Sequence, residues 1–495
     1  MNLPLFTFII KHPLIIEYNL QNYDRWRNFA DMDFQQEIIR HLPYQPNAQQ
    51  AQVIAALGRF CSPEAPDDAV FVLNGYAGTG KTSICGALVK ALPAAGLSSV
   101  LLAPTGRAAK VFSAYAGRTA YTIHRRIYRH PGVGDTSSTV RAVIENKHTN
   151  TVFIVDEASM ISSDASDGSS LLEDLIHYVY TGTRCRLLLL GDTAQLPPVG
   201  CDFSPAMSVD ILHGFGLRVS RATLTETARQ ATDSGILHNA TLIRRNMRQT
   251  PLPEPRIVTR GFSDVHIISG EDMPEELYSA YSRDGLRDTI VITRSNFRAT
   301  AFNREIRASV LYLEQELTAG ELLLVAKNNY FWSQKIKGID FIANGDVLEI
   351  ESVLGTEVKY GFRFADVIAV LPDSDIRFEA KVMLDSLATE TATVGNNRIA
   401  ELYYAIMEDP TLFDPSTPAA ARLKALKSNP YWNALQVKYA YCVTCHKAQG
   451  GQWKNVFVDM GYIPPEAMGM DFYRWLYTAV TRARSNLYFL GLNQE

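Results

Sequence analysis

The chain has 495 residues, with 48 Lys+Arg against 52 Asp+Glu and a formal net charge of −4. Apolar residues make up 46% and charged residues 20%. That is a globular balance and excludes a disordered chain, and the near-neutral charge excludes a basic coat that holds nucleic acid by bulk charge alone. Six Cys are too few for a disulfide scaffold and point to a reducing compartment. Length over ~150 residues suggests about three structural units.

In chain order, Leu3 to Ile16 are apolar but interrupted by Lys11 and Pro13, with no small-residue cleavage site after them. The run is too short to span a bilayer, and no later stretch reaches about eighteen uninterrupted apolar residues. The expectation is a soluble, cytoplasmic protein with no membrane partner. Met32 precedes the first helical patterning, so residues 1–31 read as an over-extended start or a loosely attached arm. Short apolar runs then recur at Val70–Leu73, Ser99–Ala103, Val152–Val155, Leu187–Leu190, Thr289–Ile292 and Val456–Val458. Their length and β-branched content suit strands buried on both faces, hence parallel sheet. Ile84, Leu88 and Leu92 form an i, i+4, i+8 stripe after the first run. Alternation of strand and helix predicts an α/β fold. Two regions break the rhythm. Residues 125–150 are short, polar and turn-rich, as in an inserted hairpin. Residues 311–432 carry strand-like pieces and read as a β-rich insert.

The strongest chemical signal is Gly75-Tyr76-Ala77-Gly78-Thr79-Gly80-Lys81-Thr82, a P-loop pattern between a strand and a helix. Its backbone amides can wrap a phosphate at a helix N-terminus. Lys81 is placed for the β- and γ-phosphates of ATP, and the Thr82 hydroxyl for Mg²⁺. Gly75, Ala77, Gly78, Thr79, Gly80 and Ser83 complete the expected nucleotide contacts. Asp156-Glu157 ends a later strand. Asp156 is the expected Mg²⁺ ligand and Glu157 the water-activating base; an ordinary acidic strand end is the weaker alternative, and it weakens further beside the P-loop. Gln195, in Gly191-Asp192-Thr193-Ala194-Gln195-Leu196-Pro197-Pro198, could sense a γ-phosphate, although alone this segment is a turn.

Near the C-terminus stand Thr444-Cys445-His446-Lys447-Ala448-Gln449-Gly450-Gly451 and Tyr477-Thr478-Ala479-Val480-Thr481-Arg482-Ala483-Arg484. With these, the ordered set resembles a superfamily-1 helicase of the RecD-like/Dda-like group, related to the Pif family. Ala103 to Lys110 and Thr122-Ile123-His124 resemble the group's DNA-contacting motifs. Leu224 to Gln230 resembles its fourth motif, and Thr293-Arg294-Ser295-Asn296 the start of its second motor domain. Pro46-Asn47-Ala48-Gln49-Gln50 resembles its adenine-reading glutamine motif, where Gln50 fits the spacing better than Gln49. The resemblance implies two RecA-like domains: 45–220, carrying the 125–150 pin-like insert, and 221–310 with 433–495. An SH3-like insert at 311–432 and an N-terminal extension at 1–44 complete the chain. It further implies ATP in the cleft, Gly450 near the nucleotide, and Arg229 and Arg482 as arginine fingers with Arg484 as alternate. Single-stranded DNA would contact Thr105, His124, Asn296, Thr444 and Lys447, with movement 5′ to 3′ toward duplex junctions. His124 stays equally open to a structural role. A P-loop switch without motor activity is the rival reading; it has no need of a DNA track.

Cys442-Val443-Thr444-Cys445-His446 spells a c-type haem attachment pattern. With no export signal, and with the segment lying inside the helicase motif, no haem is expected. Gln452 stands where many relatives carry an acidic residue, which puts that residue's ribose role in doubt here.

Overall fold

The computed structural model describes residues 34–128, 143–162, 170–226, 233–336, 341–372, 375–414 and 416–492. The first sheet takes six strands: β1 (Ala69–Gly75), β2 (Ser98–Ala103), β3 (Ala120–Thr122), β4 (Thr151–Val155), β5 (Arg186–Gly191) and β6 (Arg218–Leu224). Their order is β3-β2-β4-β5-β1-β6, every pairing is parallel, and β1, β4 and β5 are buried along their whole length. This is the expectation for continuous apolar runs in a doubly covered parallel sheet. Ile84, Leu88 and Leu92 pack beneath it, each fully buried.

The second sheet begins with β7 (Val265–Ile268) and β8 (Thr289–Thr293). A closed barrel interrupts it: β9 (Leu322–Val325), β10 (Val347–Lys359), β11 (Phe362–Leu371), β12 (Ile376–Met383) and β13 (Leu435–Tyr439). The sheet then completes with β14 (Cys442–Thr444), β15 (Trp453–Asp459) and β16 (Ala483–Leu490) in the order β14-β8-β15-β16-β7, all parallel. The α/β fold with two RecA-like parallel sheets and a β-rich insert is therefore present.

The element boundaries differ from the sequence expectation at three places. Strand β6 pairs with β1 through Leu224, so the first sheet ends beyond residue 220. Strand β13 closes the barrel against β12 and β9, so the chain returns to the second sheet at about residue 440 rather than 433. Helix 34–40 and the turn after it place Ile38 and Leu42 in the core of the first sheet, so the first domain begins before residue 45; residues 1–33 lie outside the described residues. At the pin-like insert, Tyr128 pairs antiparallel with Val143 and Ile144 N–H donates to Ile127 O (2.8 Å). The segment thus leaves and returns at one point; residues 129–142 lie outside the described residues. No helix among the described residues is long and apolar enough to cross a membrane.

Candidate nucleotide and nucleic-acid sites

The C-terminal ends of parallel strands open onto a common crevice, where ligands of such sheets bind. Strand β1 ends at Gly75, and Lys81 starts the helix Lys81–Ala91. Between them Gly80 adopts φ +84°, and a Cβ there would fall 2.5 Å from both Tyr44 Oη and Gln50 Nε2. Only glycine fits that turn. The Lys81 ammonium donates to Gly75 O (3.1 Å) and Gly191 O (3.2 Å), which holds it between the ends of β1 and β5. Thr82 and Ser83 follow at the helix start, partly exposed.

Two buried carboxylates face this lysine. Asp156, at the end of β4, accepts from the Tyr115 hydroxyl at Oδ2 and from Glu157 N–H at Oδ1 (2.9 Å). Burial and Glu157 push its pKa up, and Lys81 opposes them. Asp192, at the end of β5, accepts from the Tyr477 hydroxyl (2.8 Å) and from Ala194 N–H (3.0 Å). Burial raises its pKa too, again against Lys81. A buried carboxylate in this state favours a nearby cation. Thr82 and Asp156 supply the hard oxygen donors that Mg²⁺ takes, so these residues fit the ion.

Glu157 sits at φ +51°, an uncommon backbone for a residue with a side chain and one found at functional sites. Its Oε2 is buried with no hydrogen-bond partner among the described residues, and so is Gln195 Oε1. Two orphaned acceptors beside a lysine cradle mark the place where a ligand would supply donors. Arg482, only 3% exposed, brings its guanidinium to 4.0 Å from Glu157 Oε1. It is held by Thr478 O (3.0 Å), Thr481 Oγ1 (3.2 Å) and Gly451 O (3.3 Å). Arg484 instead is exposed and lines a different cavity, which removes it as the alternate at the acidic pair. Arg229 lies outside the described residues.

The second sheet reaches the first through residues the sequence reading left out. The Tyr477 hydroxyl accepts from Ala77 N–H (3.0 Å) while donating to Asp192. Burial and Asp192 push its pKa well up, so it stays a donor. Leu196 N–H donates to Thr478 Oγ1 (2.8 Å), and Gln449 Nε2 donates to Leu196 O (2.8 Å). The loop carrying Gln195 is thus clamped from across the cleft. Arg244 lies over the Tyr76 ring at 4.2 Å. The sequence signal for Tyr477 was its place in a recognised motif, five residues before Arg482. Tyr115 and Asp192 carried no separate signal.

Two expected nucleotide residues have other contacts. Gln50 Nε2 donates to Thr79 O (3.0 Å) and its Oε1 accepts from Asn47 N–H (3.1 Å), so the side chain braces the P-loop backbone. Gly450, at φ +73°, packs against the helix start of the first domain; a Cβ there would fall 2.9 Å from Ala108 Cβ and 3.2 Å from Thr105 Oγ1.

Four of the five expected DNA residues line two depressions that share Lys447. A cavity of about 670 Å³ between both sheets and the barrel is lined by Thr105, Arg107, Lys110, His446, Lys447 and Arg484, among others. Arg107 stacks on Trp453 across it (3.8 Å). A smaller groove carries Asn296, Thr444 and, again, Lys447. Thr105 caps the helix Gly106–Ala116, Thr444 precedes Cys445–Ala448, and Asn296 opens Asn296–Glu305. Helix starts of this kind suit phosphate. Lys447 also donates to Asn344 of the barrel. His124 lines neither depression; its ring packs near Tyr128 at 5.5 Å. Cys442 and Cys445 are buried, and burial pushes the Cys445 thiol up to about 12, which makes it a poor nucleophile.

The sequence family described as an AAA domain matches residues 45–254, and that described as a UvrD-like helicase C-terminal domain matches 439–490. RecBCD enzyme subunit RecD of Mycolicibacterium smegmatis is 31% identical over 450 residues, covering 86% of this chain and 68% of that protein. The chain belongs to the superfamily-1 RecD-like helicases. Within that family, the ATP-dependent DNA helicase dda of Enterobacteria phage T4 is 24% identical over 445 residues, covering 84% of this chain and 93% of the relative. The ATP-dependent RecD2 DNA helicase of Deinococcus radiodurans is 33% identical over 169 residues. That match takes 34% of this chain and spans only 21% of the Deinococcus protein. In the RecD-like chain Arg482 lies 4.0 Å from the acidic pair, and Tyr477 of the same helix region bonds the P-loop backbone.

Proposed function

We propose that this RecD-like helicase hydrolyses ATP to move along single-stranded DNA, 5′ to 3′, and opens duplex at junctions. The observation that carries the reading is Lys81, held between the ends of β1 and β5 near the buried Asp156 and Asp192, with Arg482 reaching Glu157 from the second sheet and Glu157 Oε2 without a partner among the described residues. Glu157 Oε2 is placed to accept from a water, and the Lys81 ammonium and Arg482 guanidinium to meet phosphate charge.

In this reading Lys81 and the amides from Gly78 to Thr82 hold the β- and γ-phosphates. Thr82 and Asp156 hold Mg²⁺, which when bound neutralises charge on the phosphate oxygens. Glu157 takes the proton from the attacking water, and the Gln195 side-chain amide donates an N–H to the γ-phosphate. Arg482 reaches the developing charge from the other side of the cleft, a contribution of typically 10³ to 10⁵ in rate. Hydrolysis therefore requires closure, and reopening after release moves one domain relative to the other. Thr105, Asn296, Thr444 and Lys447 hold the strand by its phosphates, which imposes no sequence preference.

The test is ATP hydrolysis with and without single-stranded DNA, for wild type and Lys81→Ala. The expected result is strong stimulation by DNA, abolished in the variant, with unwinding of a 5′-tailed duplex and none of a 3′-tailed one. Hydrolysis that depends on Lys81 but ignores DNA would move the assignment to a P-loop switch.

A further inference from the structure

The barrel has a cavity of its own, apart from the cleft and the groove described above. It measures about 300 Å³, the lower end of the range for small-ligand sites. Its walls carry two cations, Lys327 and Lys427, and three rings, Tyr330, Phe331 and Trp432, with no carboxylate among the described lining residues. In a chain with more acidic than basic residues, that local balance selects an anionic ligand with a flat face. Aromatic faces for bases beside cations for phosphates is the arrangement that holds single strands without sequence preference.

The cavity is built before any ligand arrives. Asn329 Oδ1 accepts from Phe331 N–H (3.1 Å) and Trp332 N–H (3.2 Å), while its Nδ2 donates to Asn433 O (2.8 Å). These bonds fix the loop that displays the rings. Tyr330 is stacked on Phe341 (5.1 Å, 29°) yet remains 39% exposed. A ring already held in place loses little freedom when a base stacks on it.

The cavity also continues the motor track. Lys438 lines the groove that carries Asn296 and Thr444, and Gln436 lines the barrel cavity. The two residues stand two apart on β13 and so project from one face. Beside them, Ala326 lines the groove and Lys327 the cavity, tied to β13 by Ala326 N–H donating to Gln436 O (2.8 Å).

We propose that this cavity is a subsite for one nucleotide of the single strand, beyond the motor track and held by the β-rich insert alone, its barrel and the helices before β13. The inference rests on the single-strand reading above. Its ligand is a base with its phosphate, carried by the strand; a free mononucleotide shares that chemistry and is distinguished by the test.

The experiment uses the full chain and dye-labelled oligo-dT of about 8 and about 24 nucleotides, lengths on either side of a typical single-strand site. The variants are Lys327→Glu and Tyr330→Ala, both at exposed positions. Each is expected to lose roughly tenfold in affinity for the long oligomer and nothing for the short one. Lys327→Ala should also lower the salt slope of long-oligomer binding by about 1. ATP hydrolysis stimulated by the short oligomer should stay at the wild-type level. Unchanged binding of both lengths, or equal weakening of both, overturns the subsite. Competition by dTMP at equal nucleotide concentration, as effective as the long oligomer, overturns it as a strand site. Wild-type hydrolysis indifferent to both oligomers would instead refute the motor reading, whatever the binding comparison gives.

Discussion

The two parallel sheets share an architecture and divide the chemistry unequally. The first sheet carries the cradle: Lys81, Thr82, Asp156, Glu157 and Gln195 all stand at the ends of its strands or on the loops and helix that follow. Most of these groups are held within their own domain, as Lys81 is by Gly75 and Gly191. The second sheet contributes few groups, and they work only across the cleft: Arg482 beside Glu157, and Tyr477 between Ala77 and Asp192. One half is prepared to bind; the other is prepared to respond. Damage to the first half should therefore reduce nucleotide binding and turnover together. Damage to the second should spare binding and remove turnover.

The largest separation is expected between Lys81→Ala and Arg482→Ala. Loss of Lys81 removes charge that meets bound nucleotide and transition state alike, so both affinity and rate should collapse. Arg482→Ala should lower kcat by about 10³ or more with little change in KM for ATP. Steady-state kinetics with saturating single-stranded DNA reads the split. Arg482→Lys should rescue little, because a guanidinium fork and an ammonium differ in geometry. Equal effects on KM from the two alanine variants would break the division of labour.

Tyr477→Phe sharpens it. The substitution keeps the ring in the core and deletes one hydroxyl. It leaves Ala77 N–H and Asp192 Oδ2 short of a partner in a buried place, at a cost of about 1–3 kcal/mol. That cost falls on the arrangement in which the second sheet meets the P-loop and Asp192. The expected outcome is a loss of about 10- to 100-fold in DNA-stimulated kcat, with basal nucleotide affinity retained. Nucleotide binding measured without DNA should not move. If it falls as far as turnover does, Tyr477 is merely supporting the P-loop.

What the sequence made legible follows from how local each signal was. The P-loop needs eight consecutive residues and flanking elements, and all of that is local. Asp156-Glu157 and Gln195 end apolar strands, and the strands were visible as runs. Tyr477 was harder because it lies in a helix whose other face is aromatic core, with Phe472, Tyr473 and Leu476 buried beside it. Only its partners, Asp192 at 285 positions and Ala77 at 400, set it apart. Tyr115 was hidden for the same reason, 41 positions from Asp156. The barrel's end was misplaced because β13 follows a long helical excursion, and its pairing with β9 is a distant contact that no local pattern announces. Gln50 shows the opposite case: its spacing was readable, but spacing cannot tell whether the amide faces a ligand or the chain's own backbone.

The smallest expected effect concerns Tyr115. It stands at the C-terminal end of the helix Gly106–Ala116, whose other end carries Thr105, Arg107 and Lys110 on the larger cavity. Its hydroxyl donates to Asp156 Oδ2, and burial with Asp156 keeps its pKa well up, so it remains a donor. A side chain that orients a metal ligand tunes the metal even without touching it; loss of such a partner typically costs 10- to 100-fold in affinity. Asp156 retains Glu157 N–H as a second donor, so the lower end of that range applies. Tyr115→Phe should raise the Mg²⁺ concentration needed for half-maximal binding of a fluorescent ATP analogue by about tenfold. Binding of single-stranded DNA without nucleotide should be unchanged. An unaltered Mg²⁺ requirement would show that Asp156 is oriented by its own backbone, and that the first sheet's half of the site needs no support from the helix that borders the larger cavity.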